Sequence, residues 1–347
     1  MARVTGGQLL YPYRRRVGRD SLLALGEFLD DIWLPAVRST IRLSTFVGYE
    51  GHVRNHIIPR LGGTILSELD ARVLNAFYAT LLANGHRDLR PLSPATVRRI
   101  HATLHRALRD AVRWGHLEKN PGDACDPPRQ RAASAPEMRT WAPAQLAAFL
   151  GFVRGDRLSA LWVLLAMTGL RRGEALGLRW IDVNIDRGEL AVRQTLLLVS
   201  GRIEVSRPKT ARGRRVVALD PSTADILAKH RQIGPDSELV FSDQDGSPLN
   251  PGAVSKRFSK LVRASGLPLI RLHDLRHTHA TIALQAGVHP KIVSERLGHS
   301  TVAFTLDVYS HMLPHMPGGS RCGRGCPRSP RRALIHQYVY RGVEWEP

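Results

Sequence analysis

Apolar residues recur three or four apart through the first third of the chain. Leu22, Leu25, Leu29, Trp33 and Val37 form one such row, the spacing at which one face of a helix meets a core. Phe46, Tyr49, Val53 and Ile57 form a second, with Ser44 expected as its N-cap and Pro59 as its stop. A third run starts at Asp70 and ends at Gly85, and a fourth has Ser93 as N-cap and Pro94 at the first helical position. No two-residue alternation interrupts them, so 21–117 predicts four helices. The stretch "EKNPGDACDPPRQRAASAPEMRTW", 118–141, has no hydrophobic period and reads as an interdomain linker.

Beyond 142 the pattern mixes. "APAQLAAFLGFV" and "RLSALWVLLAMTG" predict helices. The segment around Gly188, Gly201 and Gly213 alternates apolar and polar residues and predicts three short antiparallel strands. A helix capped by Pro221 and Ser222 follows, then a short strand at "ELVF", a helix in "NPGAVSKRFSKLVRASG" and three more helical segments ending in "TVAFTLDVYSHML". The expected fold is mainly α with a small antiparallel β-sheet. A helical domain (21–117) and an α+β domain (142–316) lie between a basic tail (1–20) and a Gly/Arg/Pro-rich tail (317–347).

Charge changes this picture from two domains to two domains that meet a polyanion. The net charge is +20, with 43% hydrophobic residues. So large an excess points to nucleic acid. From Arg38 to Arg113 there are 12 arginines against five acids. The fourth helix carries Arg98, Arg99, Arg106, Arg109 and Arg113 with only Asp110 opposing, a pattern suited to phosphate-backbone contact as well as to a solvated face. No apolar run reaches the 18 or so residues of a spanning helix, and the N-terminus has no apolar signal region, so no membrane partner is expected. Three cysteines are too few for a disulfide framework, which fits a cytoplasmic location.

Five polar clusters of the second domain carry candidate chemistry. In "TGLRRGE", Arg171 stands where a helix begins, suited to an anion, with Glu174 one turn on to orient it; a surface salt bridge is the plainer alternative. In "RPKTARGRR", Lys209 is one of only six lysines among 50 basic residues, and a lysine can donate a proton where arginine cannot. "RLHDLRHTHAT" places His273, Arg276 and His277 on one helical face. His273 and His277 are spaced like a zinc pair, but Asp274 replaces the expected glutamate and Arg276 would repel a dication, so phosphate is the favoured ligand. His299 follows Gly298 in "RLGHS", and Tyr309 lies ten residues on in "TLDVYSH". Cys322, Cys326 and His336 fit no standard zinc spacing.

Taken in order, these boxes resemble the tyrosine recombinase (phage integrase) family over roughly 21–316. The resemblance implies a SAM-like core-binding domain followed by the catalytic domain. It implies Tyr309 as the nucleophile forming a 3′-phosphotyrosyl link, Arg171 and Arg276 as a phosphate clamp, and His299 as a further donor. It implies His273 as proton acceptor and Lys209 as the acid for the leaving 5′-oxygen. No metal and no cofactor are needed, since arginines supply the charge and the covalent link conserves the bond energy. Specific double-stranded DNA, a homotetrameric synapse and accessory DNA-bending or directionality factors would be the partners, in the bacterial cytoplasm at the nucleoid. With about twenty residues before the first helix, the family's N-terminal arm-binding domain is expected to be absent or truncated. Pro314, Pro317, Gly318 and Gly319 are expected to interrupt the helix that follows the tyrosine. The alternatives are a type IB topoisomerase-like enzyme, a DNA-binding protein whose altered tail impairs recombination, and a metal-dependent nuclease.

Overall fold

The computed structural model describes residues 22–86, 90–129, 139–206, 213–299 and 301–309. Lys209, Cys322, Cys326, His336 and both terminal tails lie outside the described residues. The chain divides into two compact units, Met1–Pro136 and Glu137–Pro347.

The first unit contains the four expected helical runs. The run α1 (25–38) is α-helical over Leu25–Glu27, π-helical over Phe28–Trp33 and α-helical again over Leu34–Arg38. The run α2 (43–61) passes through a π segment, Val53–Ile57, into Ile58–Leu61. Pro59 therefore does not stop it. The proline is the second residue after the π segment, and the backbone stays helical through it. Ser44 is not the cap either: Arg42 holds that position, with an extended backbone and no capping side chain. The caps of α3 (Ala71–Asn84) and α4 (Pro94–Arg113) are as expected. Asp70 accepts the Val73 amide at 2.7 Å, and Ser93 accepts that of Thr96 at 3.2 Å. Val97, Ile100, Leu104, Ala107, Leu108 and Ala111 turn one face of α4 inward onto Leu29, Trp33, Leu74 and Leu81. Each buried valine, isoleucine or leucine among them contributes about 1.5–3 kcal/mol.

In the second unit, α5 (Pro143–Phe152) leads to α6 (Ser159–Thr168), of which every residue from Ala160 onward is buried. The short α7 (Arg172–Leu176) follows, then five strands in two antiparallel sheets. One sheet orders β1 (Val183–Asn184), β2 (Glu189–Val192) and β5 (Arg215–Ala218), with Glu189 opposite Ala218 and Val192 opposite Arg215. The other is the hairpin of β3 (Thr195–Val199) and β4 (Arg202–Ser206), closed by Ser200 and Gly201, both at positive φ. The expected three strands are thus four plus a two-residue edge, and β5 returns to β2 rather than extending the hairpin. "ELVF" forms only an isolated bridge, Leu239 to Arg179. The helices α8 (Pro221–Ile233), α9 (Pro251–Ala264), α10 (Asp274–Gln285), α11 (Pro290–Leu297) and α12 (Val302–Tyr309) complete the unit. The cap of α8 is Asp220, which accepts the Thr223 amide at 3.0 Å, so the expected role of Ser222 passes to a stronger acceptor two residues earlier. Trp141, Phe149, Trp162 and Phe258 pack together in the core.

Candidate active site

The site of the second unit is assembled at helix ends. α6 closes on Gly169, at φ 65°, and α11 on Gly298, at φ 66°. Both are left-handed caps, a conformation glycine adopts without strain. At Gly169 space forbids anything else as well. A Cβ there would lie 2.6 Å from the Leu297 side chain and 2.8 Å from the His279 ring. The carbonyls released at these two ends point to one guanidinium. Arg276 donates from Nη1 to Gly169 O at 2.8 Å and from Nη2 to Leu297 O at 2.6 Å. Arg276 is 3% exposed. A cation is well placed at the negative ends of two helix dipoles. Burial, and then the like charge of Arg171, push its pKa down to about 9, still charged at neutral pH.

Arg171 is the N-cap residue of α7 and is more open, its side chain 42% exposed. Glu174 holds it twice, accepting the Arg171 amide at 3.0 Å and Nη1 at 2.8 Å. Nη2 also reaches Gly298 O at 3.4 Å. Glu174, expected to orient Arg171, makes the contacts that role needs. Its carboxylate is buried, yet Arg215 foremost and then Arg171 outweigh that burial and hold its pKa below the ordinary value.

His299 follows the Gly298 cap and is fixed through Nδ1 to Thr305 Oγ1 at 2.8 Å and by an edge-on contact with Phe304. Burial, then Arg276 and Arg171, lower its pKa to about 3, so it is neutral. Tyr309, at the end of α12, is fully buried, and burial pushes its phenol up to about 12. Its hydroxyl lies 2.7 Å from Nδ1 of His277. Burial and then His273 lower the His277 pKa to about 4. In the tautomer protonated at Nε2, this neutral ring accepts the phenolic O–H.

The structure therefore gathers Arg171, Arg276 and His299 around the end of α11, with Tyr309 within electrostatic reach of Arg276. His273 is the N-cap residue of α10, exposed, and packs edge-on against His277 with ring centroids 5.1 Å apart. It has no described contact with the Tyr309 hydroxyl. His279 is spent structurally, with Nδ1 3.0 Å from Ala166 O. Among the described residues no three His, Cys, Asp or Glu side chains cluster as a metal site requires.

Two residues matter more here than their motifs suggest. His277, expected only as a structural or hydrogen-bonded neighbour on the face of His273 and Arg276, is one. The other is Arg215, one of the four arginines that flank Lys209 in "RPKTARGRR". The strand period distinguishes it: Arg215 shares a face with the buried Val217 and Leu219, while Arg214 and Val216 face out. In the first unit, the five arginines of α4 fall within an arc of about 100° at 100° per residue. Arg98, Arg99, Arg109 and Arg113 are exposed and Arg106 is half-buried. Arg106 and Arg113 are tied to the buried Asp110 at 3.0 and 3.1 Å, and Asp110 also accepts from Trp33 Nε1 at 3.0 Å.

Comparison with known proteins gives a consistent family. Residues 143–315 match the model described as the phage integrase family, and 24–82 that of the phage integrase N-terminal SAM-like domain. A tyrosine recombinase XerC-like protein of Caldanaerobacter subterraneus is 29% identical, over 84% of this chain and 80% of its own. A putative prophage phiRv2 integrase of Mycobacterium tuberculosis is 30% identical, over 82% of this chain and 74% of its own. Among solved structures, the Tn1549 transposon integrase in complex with a circular intermediate DNA matches with a TM-score of 0.70 at 22% identity, covering 85% of this chain and 96% of that one. A lambda integrase tetramer bound to a Holliday junction matches with a TM-score of 0.63 at 21% identity, covering 85% and 83%.

Proposed function

This chain belongs to the phage integrase family of tyrosine recombinases, and on that premise we propose how its residues cleave and rejoin DNA. It is a site-specific recombinase that works through a tyrosine–DNA link, serving a phage or other mobile element. Tyr309 attacks the scissile phosphorus, the 3′-phosphate becomes esterified to the tyrosine, and the 5′-oxygen leaves with a proton supplied by Lys209. Arg171 and Arg276 hold the non-bridging oxygens, where charge grows in the transition state. His299 adds a hydrogen bond to one of them. The observation that carries this reading is the convergence of the Arg276 clamp, Arg171 and His299 on the helix end beside the buried Tyr309 hydroxyl.

With a pKa of about 12, Tyr309 needs help to lose its proton. His273 was expected to take it. The geometry supports a pair of imidazoles in that task, with His277 on the hydroxyl and His273 edge-on behind it at the open rim. Because Tyr309 is fully buried, it must swing outward when a phosphate enters. On DNA, four protomers would form the synapse, with accessory bending or directionality factors, in the bacterial cytoplasm at the nucleoid. No helix among the described residues is long and apolar enough to cross a membrane. The exposed arginines of α4 supply phosphate contacts from the first unit.

The test is covalent trapping. The protein is incubated with nicked duplexes from the genomic flanks of its gene, and a denaturation-resistant protein–DNA adduct is sought. An adduct formed by wild type in EDTA and absent in Tyr309→Phe supports the reading. Cleavage that survives Tyr309→Phe, or that EDTA abolishes, refutes it. Relaxation of any supercoiled plasmid without site preference would favour the topoisomerase alternative.

A further inference from the structure

We propose that Arg215 is a positioning residue for cleavage: its buried guanidinium takes up the charge of Glu174 and leaves that of Arg171 free for the phosphate. The role rests on the recombinase reading above.

Glu174 accepts four hydrogen bonds. Two come from Arg171, and two from Arg215, whose Nη1 reaches Oε1 at 3.2 Å and Nη2 reaches Oε2 at 2.9 Å. The Arg215–Glu174 pair is inaccessible, with side-chain exposures of 7% and 5%, whereas the Arg171 side chain is open. The fork-on-fork geometry is the strongest form an arginine–carboxylate contact takes. The two partners neutralise each other inside the protein, and Arg171 keeps a full positive charge at the surface of the site. Without Arg215, Arg171 becomes the only counter-ion of a buried carboxylate. Such a carboxylate draws its remaining partner strongly, since leaving a buried charge unpaired is costly.

Arg215 also joins the segments that carry the other groups. Its Nε donates to Arg296 O at 2.6 Å, one residue before Leu297, which ends α11, supplies its carbonyl to Arg276 and leads into His299. Its Nη1 donates to Gly213 O at 3.2 Å, two residues earlier in the chain. One side chain thus connects β5, α7 and α11. Arg214, next in sequence, is exposed.

The experiment uses the full-length protein and the nicked flanking duplex that traps its adduct. Single-turnover adduct formation at saturating DNA is measured for wild type, Arg215→Met, Arg215→Lys and the double variant Arg215→Met with Glu174→Gln. Gel-shift affinity and thermal melting are measured in parallel. Arg215→Met is expected to slow adduct formation roughly 10- to 100-fold, the scale on which outer supports of a charged site act, with DNA affinity within about twofold of wild type. The double variant should recover part of that loss, because the uncompensated carboxylate is gone. On a duplex with a neutral methylphosphonate at the scissile position, Arg215→Met and wild type should converge, since the charge that Arg171 stabilises has been removed. If Arg215→Met does not fold, Arg215→Lys carries the test: it keeps the charge that balances Glu174, so its adduct rate should stay within about tenfold of wild type, and a larger loss at wild-type melting temperature would overturn the proposal. Wild-type rates in Arg215→Met, or a loss equal on both duplexes and unrelieved by Glu174→Gln, would overturn it too. Absence of any Tyr309-dependent adduct from wild type would overturn the recombinase reading, and this role with it.

Discussion

On α4 of the first unit, Arg98, Arg99 and Arg109 stand in water along one stripe, while Arg276 and Arg215 of the second unit are buried with donors assigned to named carbonyls and a carboxylate. The same side chain serves two purposes. An exposed arginine offers a field: it contacts a phosphate wherever the DNA presents one, and its neighbours can stand in for it. A buried arginine offers a geometry, and nothing nearby can replace it. Asp110 and Glu174 sharpen the contrast. Asp110 ties the half-buried Arg106 and the still exposed Arg113 to the carboxylate that also accepts from Trp33. Glu174 instead holds Arg171 at the opening while Arg215 balances its charge.

The comparison can be broken in several places. The largest effect is expected from Tyr309→Phe: complete loss of the covalent adduct, with gel-shift affinity unchanged. Arg276→Ala should follow, slowing adduct formation by about 10²–10³-fold, the cost of deleting a charge-stabilising donor. It should also lower the melting temperature, because two buried carbonyls lose their partner. If its adduct rate fell no more than that of an α4 variant, the distinction between geometry and field would fail.

Acid gives a smaller, graded effect. His277 titrates near 4, and His279 and His299 near 3, all through burial first. An unfolded histidine titrates near about 6.5. Between these values the unfolded chain binds more protons than the folded one, so the stability from the neutral rings is complete above about pH 6.5 and is lost as pH falls toward 3. Thermal melting from pH 7.5 to 4.5 should show the second unit weakening on acidification, with a shallower slope in His279→Asn. A flat profile would mean that these rings are not held neutral.

The smallest effects belong to the stripe. Arg98→Ala, Arg99→Ala and Arg109→Ala should each weaken DNA binding modestly and reduce the slope of log K against log salt by about 0.9 per lost phosphate contact. Arg106→Ala should change that slope less and melting temperature more, because its Nε is committed to Asp110. Equal slope changes in all four would show that Asp110 does not remove Arg106 from the DNA-facing set.

What could be read from the sequence follows the range of each interaction. Asp70 and Ser93 cap amides three residues away, and both were legible from local pattern. The motifs around Arg171, Arg276, His299 and Tyr309 were legible through their order along the chain. Pro59 misled because a π segment, invisible in a period of three or four, reset the helix before it. The bond from Tyr309 to His277 spans 32 residues, and that from Arg215 to Glu174 spans 41. No spacing rule reaches so far, although the alternation of β5 already turned Arg215 inward.

Gly169 carries a consequence for mutational tolerance. A side chain there meets Leu297 and His279 before it meets any DNA, and its carbonyl anchors Arg276. In a saturation library sorted first for folded protein and then for recombination, Tyr309→Phe should survive the first sort and vanish only in the second. Gly169 substitutions should vanish in the first, so a position that never touches a substrate would rank with the nucleophile in a screen for activity alone.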